Sequence, residues 1–273
     1  MASPQPHIQA VVTERHRMGE CPVWEEATGQ LVYVDILAQT VCGWGPHKAQ
    51  VQTVRLGPGQ LRGPAGTRVG LLDWDSQDVQ WVAQLDGQTP GIRVNDGKVD
   101  PAGRFVAGTM PEPLAPGVWE PAQGALYSLH GDHVVQKLAD RLGVSNGLDW
   151  SPDQRTFYHV DSLDYAVYAY DYDVQAGTIA PTRVRAHVLA ENHRLLLQLP
   201  RGGAMPDGLC VDSAGSLWVA CIDGGRVIRV DPHTGLRPGR SRTRVFHLRR
   251  LRPSPVQVTP VTPANPCDPH DTP

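Results

Sequence analysis

The apolar and polar positions of this chain follow the pattern of short β-strands joined by tight turns, and one arrangement of them recurs. The clearest copy begins at Asn146, has an apolar residue, Trp150, four positions later, and continues through a Ser-Pro-Asp turn. A β-rich run over residues 156–160, a second turn over 161–164 and a further run over 166–170 complete it. Runs of this kind, rich in β-branched and aromatic residues and bounded by turn residues, predict β-strands.

Three further copies of this arrangement each begin with a side chain that carries oxygen and have an apolar residue four positions later. They are Glu20 with Trp24, Asn95 with Val99, and Asp207 with Val211. A repeat built from short strands with a period of tens of residues indicates a propeller or a solenoid, and one four-stranded blade takes roughly 40–50 residues. The pattern therefore predicts an all-β propeller.

The spacing of the copies predicts irregular blades. The widest gap, between the first two copies, indicates a degraded second blade within residues 52–86. Residues 56–70 are rich in Gly, Pro and Arg where an inner strand is expected, and only residues 71–74 and 80–85 have a strand pattern. Before the last copy, Leu195-Leu196-Leu197 is predicted to lie in a loop or in an extra short strand.

Composition and charge narrow the class of protein. The chain has 273 residues, 40% of them hydrophobic, with 28 glycines, 25 prolines and a formal net charge of −3. This charge predicts no general attraction to nucleic acid or to an anionic membrane. The start of the chain has no signal-peptide pattern, and the five cysteines are odd in number and lack a Cys-x-x-Cys pair. We expect reduced thiols in a cytoplasmic protein that is a monomer.

The composition changes at Leu236. Residues 236–273 contain eight prolines and seven arginines and no copy of the repeat. We therefore predict an N-terminal arm over residues 1–13, a propeller over 14–235 and a Pro/Arg-rich, disordered tail over 236–273. Aromatic residues do not alternate with the arginines, so the tail is not predicted to bind nucleic acid.

The repeat also predicts a site. Equivalent positions at the starts of the inner strands converge on the axis of a propeller. Glu20, Asn95, Asn146 and Asp207 occupy those positions, and side-chain oxygens suit hard divalent cations such as Ca²⁺, Mg²⁺ or Mn²⁺. The alternative for any one of them is a turn in which Asn or Asp bonds its own backbone.

One motif argues for a different chemistry and fails on its context. Residues 143–147 match the Gly-x-Ser-x-Gly nucleophile elbow, with Ser145 at its centre. That motif requires a strand before it and a helix after it. Here a turn that leads into a strand follows, so Ser145 is not predicted to be a nucleophile.

Four ordered motifs resemble the senescence-marker/gluconolactonase/regucalcin family, and the likeness extends from Glu14 to about Gly235. The motifs are Gly19-Glu20-Cys21-Pro22-Val23-Trp24, Arg93-Val94-Asn95-Asp96-Gly97-Lys98-Val99-Asp100-Pro101-Ala102-Gly103-Arg104, Ser145-Asn146-Gly147-Leu148-Asp149-Trp150-Ser151 and Pro206-Asp207-Gly208-Leu209-Cys210. The resemblance implies a six-bladed β-propeller that holds one divalent metal ion in its channel and hydrolyses sugar lactones such as gluconolactone.

The resemblance also implies roles for individual residues. Glu20, Asn146 and Asp207 become the ligands of a Ca, Zn, Mn or Mg ion, and Arg93 and Asn95 become substrate contacts. The metal ion would polarise the lactone carbonyl, and Asp207 would steer or deprotonate the attacking water.

The chain departs from the family pattern in three places. Pro113 stands where a second substrate-contacting glutamate is expected, although Glu112 is adjacent. The inner strand of the second blade is deleted around residues 59–67, and residues after Leu236 do not match. The rival interpretations are therefore a calcium-binding regulatory protein that uses the same channel without turnover, and an inactive splice or frame-shifted variant.

Overall fold

A computed structural model describes residues 11–47, 50–57, 66–87, 89–179, 193–234 and 244–247 of the chain. Within these residues the structure contains strands and turns and no helix, which confirms the predicted all-β class. Accordingly, no described segment forms a helix long and apolar enough to cross a membrane. The four cysteines in the described ranges, Cys21, Cys42, Cys210 and Cys221, are free thiols.

The strands form five antiparallel sheets in chain order. Sheet 1 contains β1 (Gly19–Glu25), β2 (Gln30–Asp35), β3 (Thr40–Trp44) and β4 (Val51–Arg55). Sheet 2 contains β5 (Arg68–Leu72) and β6 (Val79–Gln84). Sheet 3 contains β7 (Ile92–Val99), β8 (Phe105–Pro111), β9 (Gly124–Leu129) and β10 (Val135–Leu142).

Sheets 4 and 5 complete the described part of the molecule. Sheet 4 contains β11 (Ser145–Trp150), β12 (Thr156–Asp161), β13 (Ala166–Asp173), β14 (Thr178–Ile179) and β15 (His193–Gln198). Sheet 5 contains β16 (Met205–Val211), β17 (Leu217–Ile222), β18 (Arg226–Val230) and β19 (Arg244–His247). In sheet 4, β13 pairs with both β14 and β15.

The sheets are arranged as in a propeller, with their first strands together. Strand β11 packs against β7 on one side and β16 on the other. Strand β1 reaches β7 through Cys21, whose Sγ lies 3.0 Å from Asp96 Oδ1. The apolar core lies between neighbouring sheets: Phe157 and Trp150 of sheet 4 pack with Leu126 of sheet 3, and Val160 packs with Val219 of sheet 5. The repeat starts therefore lie on the strands that meet centrally.

Sheets 3 and 5 contain the same turn after their first strand, which explains why the repeat can be recognised in the sequence. Asp100 Oδ1 accepts hydrogen bonds from the backbone N–H groups of Ala102 and Arg104, at 2.9 and 2.8 Å. In sheet 5, Asp212 Oδ1 accepts the equivalent pair from Ala214 and Ser216, at 3.0 and 2.9 Å. Each turn also requires a left-handed residue (φ +89° at position 103 and +79° at position 215), which glycine adopts without strain.

The second carboxylate oxygen of each turn aspartate fastens the turn to the sheet. Asp100 Oδ2 accepts from the Tyr172 hydroxyl at 2.6 Å and from Arg104 Nε at 2.7 Å. Asp212 Oδ2 likewise accepts from Trp218 Nε1 at 2.9 Å and from Arg229 Nη2 at 2.7 Å. Burial alone would raise the pKa of Asp100, but the hydrogen bonds from Tyr172 and Arg104 outweigh it and lower the pKa.

The irregular regions differ in part from the sequence predictions. Strand β5 begins at Arg68, within residues 56–70, where no strand was expected, because the backbone there is paired: Val94 donates to the Gly66 carbonyl and Leu85 to the Thr67 carbonyl. Residues 58–65, which contain most of the predicted deletion, lie outside the described residues. Strand β15 confirms the extra strand at residues 195–197 as one of the two predicted alternatives.

The structure describes only a short part of the predicted tail. Arg244–His247 lies inside the segment that was predicted to be disordered, yet it pairs with β18 as the fourth strand of sheet 5. The remaining residues of the predicted tail, 236–243 and 248–273, lie outside the described residues, as do residues 1–10 of the predicted N-terminal arm.

The Asp100 pair should make stability depend on acid. Its folded-state pKa lies below the unfolded value of about 3.9, so its stabilisation is present above about pH 4 and is lost as the pH falls further. Asp100→Asn should lower the free energy of unfolding at pH 7 by about 2–4 kcal/mol, since the buried Arg104 loses its charge partner. Urea unfolding at pH 7 and at pH 3 checks this, and the difference from wild type should shrink at pH 3.

A matched control is Asp171→Asn, which breaks the exposed pair with Arg194. That change should cost less than about 1 kcal/mol at either pH. An equal effect of the two substitutions would contradict the importance of the buried turn.

Candidate metal centre

The candidate site is built on β-bulges in the first strands of four sheets. The pairing of β7 with β8 slips between Val94 and Gly97, so that Asn95 and Asp96 together face one partner residue. The same slip occurs between Ser145 and Leu148 and between Pro206 and Leu209. A bulge re-aims side chains that a regular strand would send alternately to its two faces. It therefore presents Asn95, Asn146 and Asp207 to the centre.

In sheet 1 the bulge begins one residue later than the position that the repeat predicted. Its slip lies between Glu20 and Val23, so the bulged residues are Cys21 and Pro22, and Glu20 still pairs with Val34. Cys21, not Glu20, therefore matches Asn146 in register, and its φ of +49° reflects the bulge. Counting from the apolar anchor failed because the distance from bulge to anchor differs between the sheets.

Glu20 nevertheless lies in the same charged cluster as Asp207. Burial raises the pKa of Glu20 to about 8, and the negative charges of Asp207 and Asp96 add to this effect. Burial and the charge of Asp96 also raise the pKa of Asp207 to about 6, against a hydrogen bond from Asn146 that lowers it. Like charges in a half-buried site disfavour one another's ionised forms. These interactions place Glu20 near Asp207, and Asp207 near Asn146, while their role as metal ligands stays a prediction.

Asp96 is a member of the cluster that the sequence analysis missed. Burial raises its pKa, and burial likewise raises the pKa of the Cys21 thiol, which donates its proton to Asp96 Oδ1. A signal was present in the repeat: the second bulged residue is glycine in sheets 4 and 5, at Gly147 and Gly208, but an aspartate in sheet 3. A carboxylate where two other copies have glycine marks a functional candidate.

The glycine after Asn146 allows strands β11 and β16 to meet. A Cβ atom on Gly147 would lie 2.1 Å from the backbone nitrogen of Leu209 and 2.7 Å from the carbonyl oxygen of Asp207. Both neighbours are backbone atoms, which cannot rotate away. The close approach therefore fixes the distance between the strands that carry Asn146 and Asp207.

The predicted substrate residues form a hydrogen-bonded group beside the acidic cluster. Arg93 Nη1 donates to Asn95 Oδ1 at 3.0 Å, and Asn95 Nδ2 donates to the Ser145 carbonyl at 2.9 Å. Arg93 Nε lies 3.9 Å from Glu112 Oε1, so Glu112 is close to the predicted substrate residues. The charge of Arg93 also lowers the pKa of Glu20, which places Arg93 near the cluster.

The side chain of Ser145 has a structural environment. It is completely buried, and its hydroxyl lies 2.7 Å from Nε2 of His159, which is itself 1% exposed. A nucleophile needs access to its substrate, which this pair lacks. The context argument against the elbow motif is thus supported.

The donor set has the chemistry of a hard-cation site. Two carboxylates and one amide oxygen, on Glu20, Asp207 and Asn146, match the oxygen ligands that Ca²⁺ and Mg²⁺ take, and the excess negative charge of the cluster favours a cation. Sets of three or more His, Cys, Asp or Glu side chains spaced to hold a metal ion are absent from the described residues. The candidate set therefore combines only two carboxylates with the amide of Asn146.

The fold and the site together define the class of protein: a β-propeller whose central strands carry carboxylates, amides and one arginine. The model of the SMP-30/Gluconolactonase/LRE-like region matches residues 18–240, and the chain belongs to this family.

Known proteins similar to the chain agree with this assignment. Regucalcin of Homo sapiens is 46% identical over 240 residues, which cover 84% of this chain and 77% of that protein. A structure of regucalcin from Agrobacterium tumefaciens, described as a calcium-binding protein, has a TM-score of 0.70 at 20% identity and covers 85% and 77% of the two chains. A gluconolactonase from Xanthomonas campestris has a TM-score of 0.61 at 23% identity and covers 81% and 74%. The two structural likenesses show the fold.

The contact at Gly147 should not tolerate a methyl group. Gly147→Ala places Cβ inside the backbone of β16, so the free energy of unfolding should fall by about 3 kcal/mol or more. Thermal and denaturant unfolding measure this loss. The matched control is Gly131→Ala, where a Cβ atom meets nothing within 4 Å and the expected change is within about 0.5 kcal/mol. Equal stability of the two variants would show that the strands can separate.

Proposed function

We propose that this protein hydrolyses sugar lactones of the gluconolactone type and depends on a divalent metal ion held by Glu20, Asn146 and Asp207. Membership of the family supports a lactonase-like or calcium-binding function. The observation that carries the enzymatic proposal is Arg93, joined to Asn95 at 3.0 Å beside the acidic cluster. A pure cation site gains nothing from a neighbouring guanidinium, whereas a polyhydroxylated substrate gains a donor that orients it.

The metal ion has a definite role in this proposal. A divalent cation bound by the three oxygen donors would act as a Lewis acid on the lactone carbonyl and stabilise the negative charge that develops on its oxygen. Among Ca, Zn, Mn and Mg, the absence of a nitrogen ligand in the set favours the harder ions. The calcium-binding name of one structural relative agrees with this choice.

Asp207 is proposed to serve the attacking water. Its carboxylate lies beside the Asn146 amide, which holds it by a hydrogen bond. Asp207 takes a proton as the water oxygen forms its bond to the carbonyl carbon. The ring C–O bond then breaks, the leaving oxygen takes up a proton to become a hydroxyl, and the product is an open-chain hydroxy acid.

Arg93 and Asn95 are proposed to position the substrate. The Arg93 guanidinium can donate to sugar hydroxyls, and its contacts with Asn95 and the Val94 carbonyl limit its movement. Asn95 is held in turn by the Ser145 carbonyl. Their contribution is orientation of the lactone, which can account for a large part of a rate enhancement. Glu112, near Arg93, is placed to accept from the same hydroxyls.

The finer architecture belongs to the same proposal. We assign the five described sheets to an incomplete six-bladed propeller in which sheet 2 is a damaged second blade and the last blade is missing or replaced. The predicted end of the propeller at residue 235 is extended to β19, which pairs within sheet 5. The protein is proposed to act as a cytoplasmic monomer on a small molecule, with no nucleic-acid or membrane partner.

A calcium-binding regulatory protein without turnover is the second candidate. The three carboxylates favour it, since they bind a cation whether or not a substrate is present. An inactive splice or frame-shifted variant would have neither property. Turnover, metal binding and folding, measured on one sample, separate the three.

Metal addition should restore both stability and turnover. After treatment with a chelator, Ca²⁺ or Mn²⁺ should raise the thermal midpoint in proportion to its binding and bring back gluconolactone hydrolysis. Asp207→Ala should abolish both effects. Full activity of that variant would remove Asp207 from the site, and a broad transition that is indifferent to metal would contradict the metal centre. Binding without turnover would favour the regulatory candidate.

Arg93→Ala separates substrate binding from metal binding. The variant should keep its Ca²⁺ affinity within about threefold, because Arg93 is no ligand, while kcat/KM for gluconolactone falls about 100-fold or more. Calorimetric Ca²⁺ titration and initial rates provide the two readouts. Arg194→Ala, at an exposed arginine in sheet 4, is the matched control and should change neither. An equal loss of metal affinity and turnover in Arg93→Ala would show that the division of roles is wrong.

A further inference from the structure

We infer that Ser162 is a positioning residue for the candidate metal centre, because its hydroxyl fixes which end of the Asn146 amide faces the cation. This inference rests on the proposed metal-dependent function and adds a residue to it. Ser162 follows strand β12 directly and is 4% exposed. Its Oγ lies 3.1 Å from Asn146 Nδ2 and 2.7 Å from the carbonyl oxygen of Pro206.

The direction of these hydrogen bonds follows from proton counting. A backbone carbonyl only accepts, so the Ser162 hydroxyl donates its single proton to Pro206. The hydroxyl oxygen can then only accept a hydrogen bond from Asn146. The amide atom that faces Ser162 must therefore be the donor Nδ2. The two ends of an asparagine amide have nearly the same shape, and their assignment depends on the hydrogen-bond network. Ser162 therefore selects the orientation.

The Asp207 carboxylate favours the same orientation. An interaction with the Asn146 side chain lowers the pKa of Asp207, and an ionised carboxylate can only accept a hydrogen bond. The donor Nδ2, which Ser162 fixes, is therefore the amide atom that suits both neighbours. The atom left for a cation is Oδ1, which is the end of the amide that hard divalent ions bind. A reversed amide would direct two N–H groups at the cation and would repel it.

Ser162 is itself held in place. Its backbone N–H donates to the Val144 carbonyl at 3.0 Å, and its carbonyl accepts from Tyr165 at 3.0 Å. The preceding residue, Asp161, accepts from the N–H groups of Gly143 and Val144 at 2.7 and 3.1 Å. These bonds tie the turn after β12 to the start of β11. The hydroxyl therefore has little freedom to follow a displaced Asn146.

The same hydroxyl joins two ligand-bearing strands. Asn146 lies on β11 of sheet 4, and Pro206 precedes Asp207 on β16 of sheet 5. One group thus sets the orientation of one proposed ligand and the backbone position next to another. Groups that orient metal ligands in this way typically contribute ten- to a hundredfold to metal affinity.

The test is calorimetric titration of Ca²⁺ into the chelator-treated, full-length protein, at a temperature where every variant is folded. Ser162→Ala should raise the Kd for Ca²⁺ about ten- to a hundredfold, whereas Ser162→Thr, which keeps the hydroxyl, should stay within a few-fold of wild type. The matched control is Ser128→Ala, at a buried serine whose hydroxyl has no recorded partner. It should leave the Kd unchanged. If Ser162→Ala does not fold, Ser162→Cys replaces the hydroxyl by a thiol, a weak hydrogen-bonding group, and gives the same comparison.

A double-mutant cycle with Asn146→Ala shows whether Ser162 acts through Asn146. Once the amide is absent, Ser162→Ala should add less than about threefold to the Kd, because nothing remains to orient. A full additional loss would overturn the inference, since it would mean that Ser162 acts through the backbone alone. A merely structural serine would lower the thermal midpoint in both backgrounds without this dependence of metal affinity on Asn146.

The outcomes distinguish the role of Ser162 from the existence of the metal centre. If wild type binds Ca²⁺ and Ser162→Ala binds it equally well, the role of Ser162 is overturned and the proposed function stands. If wild type binds neither Ca²⁺ nor Mn²⁺, the metal centre itself is overturned, and the inference with it.

Discussion

Repulsion among three half-buried carboxylates is the constraint on which the centre of this molecule depends. Glu20, Asp96 and Asp207 come from three different sheets; the charge of Asp96 helps to raise the pKa of both Glu20 and Asp207, and that of Asp207 helps to raise the pKa of Glu20. Evolution towards stability alone would replace such groups by apolar ones, since buried like charges oppose folding. Their convergence on one place, with an arginine and two amides around them, is therefore best explained by a ligand that carries positive charge.

The fold supplies the convergence by a simple local device. A regular strand sends successive side chains to opposite faces, whereas the channel needs adjacent residues to point towards the axis. The bulges in β7, β11 and β16 supply this change of direction, and Gly147, which follows Asn146, lets β11 and β16 approach. The candidate site and the packing of the strands thus depend on the same Asn-Gly dipeptide.

The sequence predicted the large-scale features because these repeat. The all-β class and the spacing of the strands follow from a pattern that recurs along the chain. The register of a strand could not be predicted in this way, because it depends on which residue of β2 pairs with Glu20, and no repeating sequence pattern encodes pairing partners. This is why the predicted equivalent of Asn146 in sheet 1 was wrong by one residue, at Glu20 instead of Cys21. Strand β5 was mislocated for a related reason: its start is fixed by hydrogen bonds to Val94 and Leu85, both distant in sequence.

Sequence patterns also could not identify residues that act by positioning other side chains. Ser162 lies in the second turn of the copy that begins at Asn146, and only the structure shows its hydroxyl between Asn146 and Pro206. Nothing in its local sequence separates it from an ordinary turn serine, because the partner carbonyl is 44 residues away. Asp96 differs in this respect. It occupies a repeat position that is glycine in sheets 4 and 5, so a comparison of these copies residue by residue would have found it.

The contacts between sheets give the centre a structural role as well. Asp149 of β11 accepts from Lys98 of β7 at 2.6 Å and from the backbone of Val211 in β16 at 2.8 Å, which joins sheets 3, 4 and 5. Sheet 1 meets sheet 3 through the thiol of Cys21, a weak donor, while its carboxylate on Glu20 is repelled by Asp207 of sheet 5. A bound cation would convert that repulsion into attraction on both sides. Metal binding and closure of the ring are then two parts of one free-energy change, and the channel ion would hold the first and fifth sheets together as well as polarise a substrate.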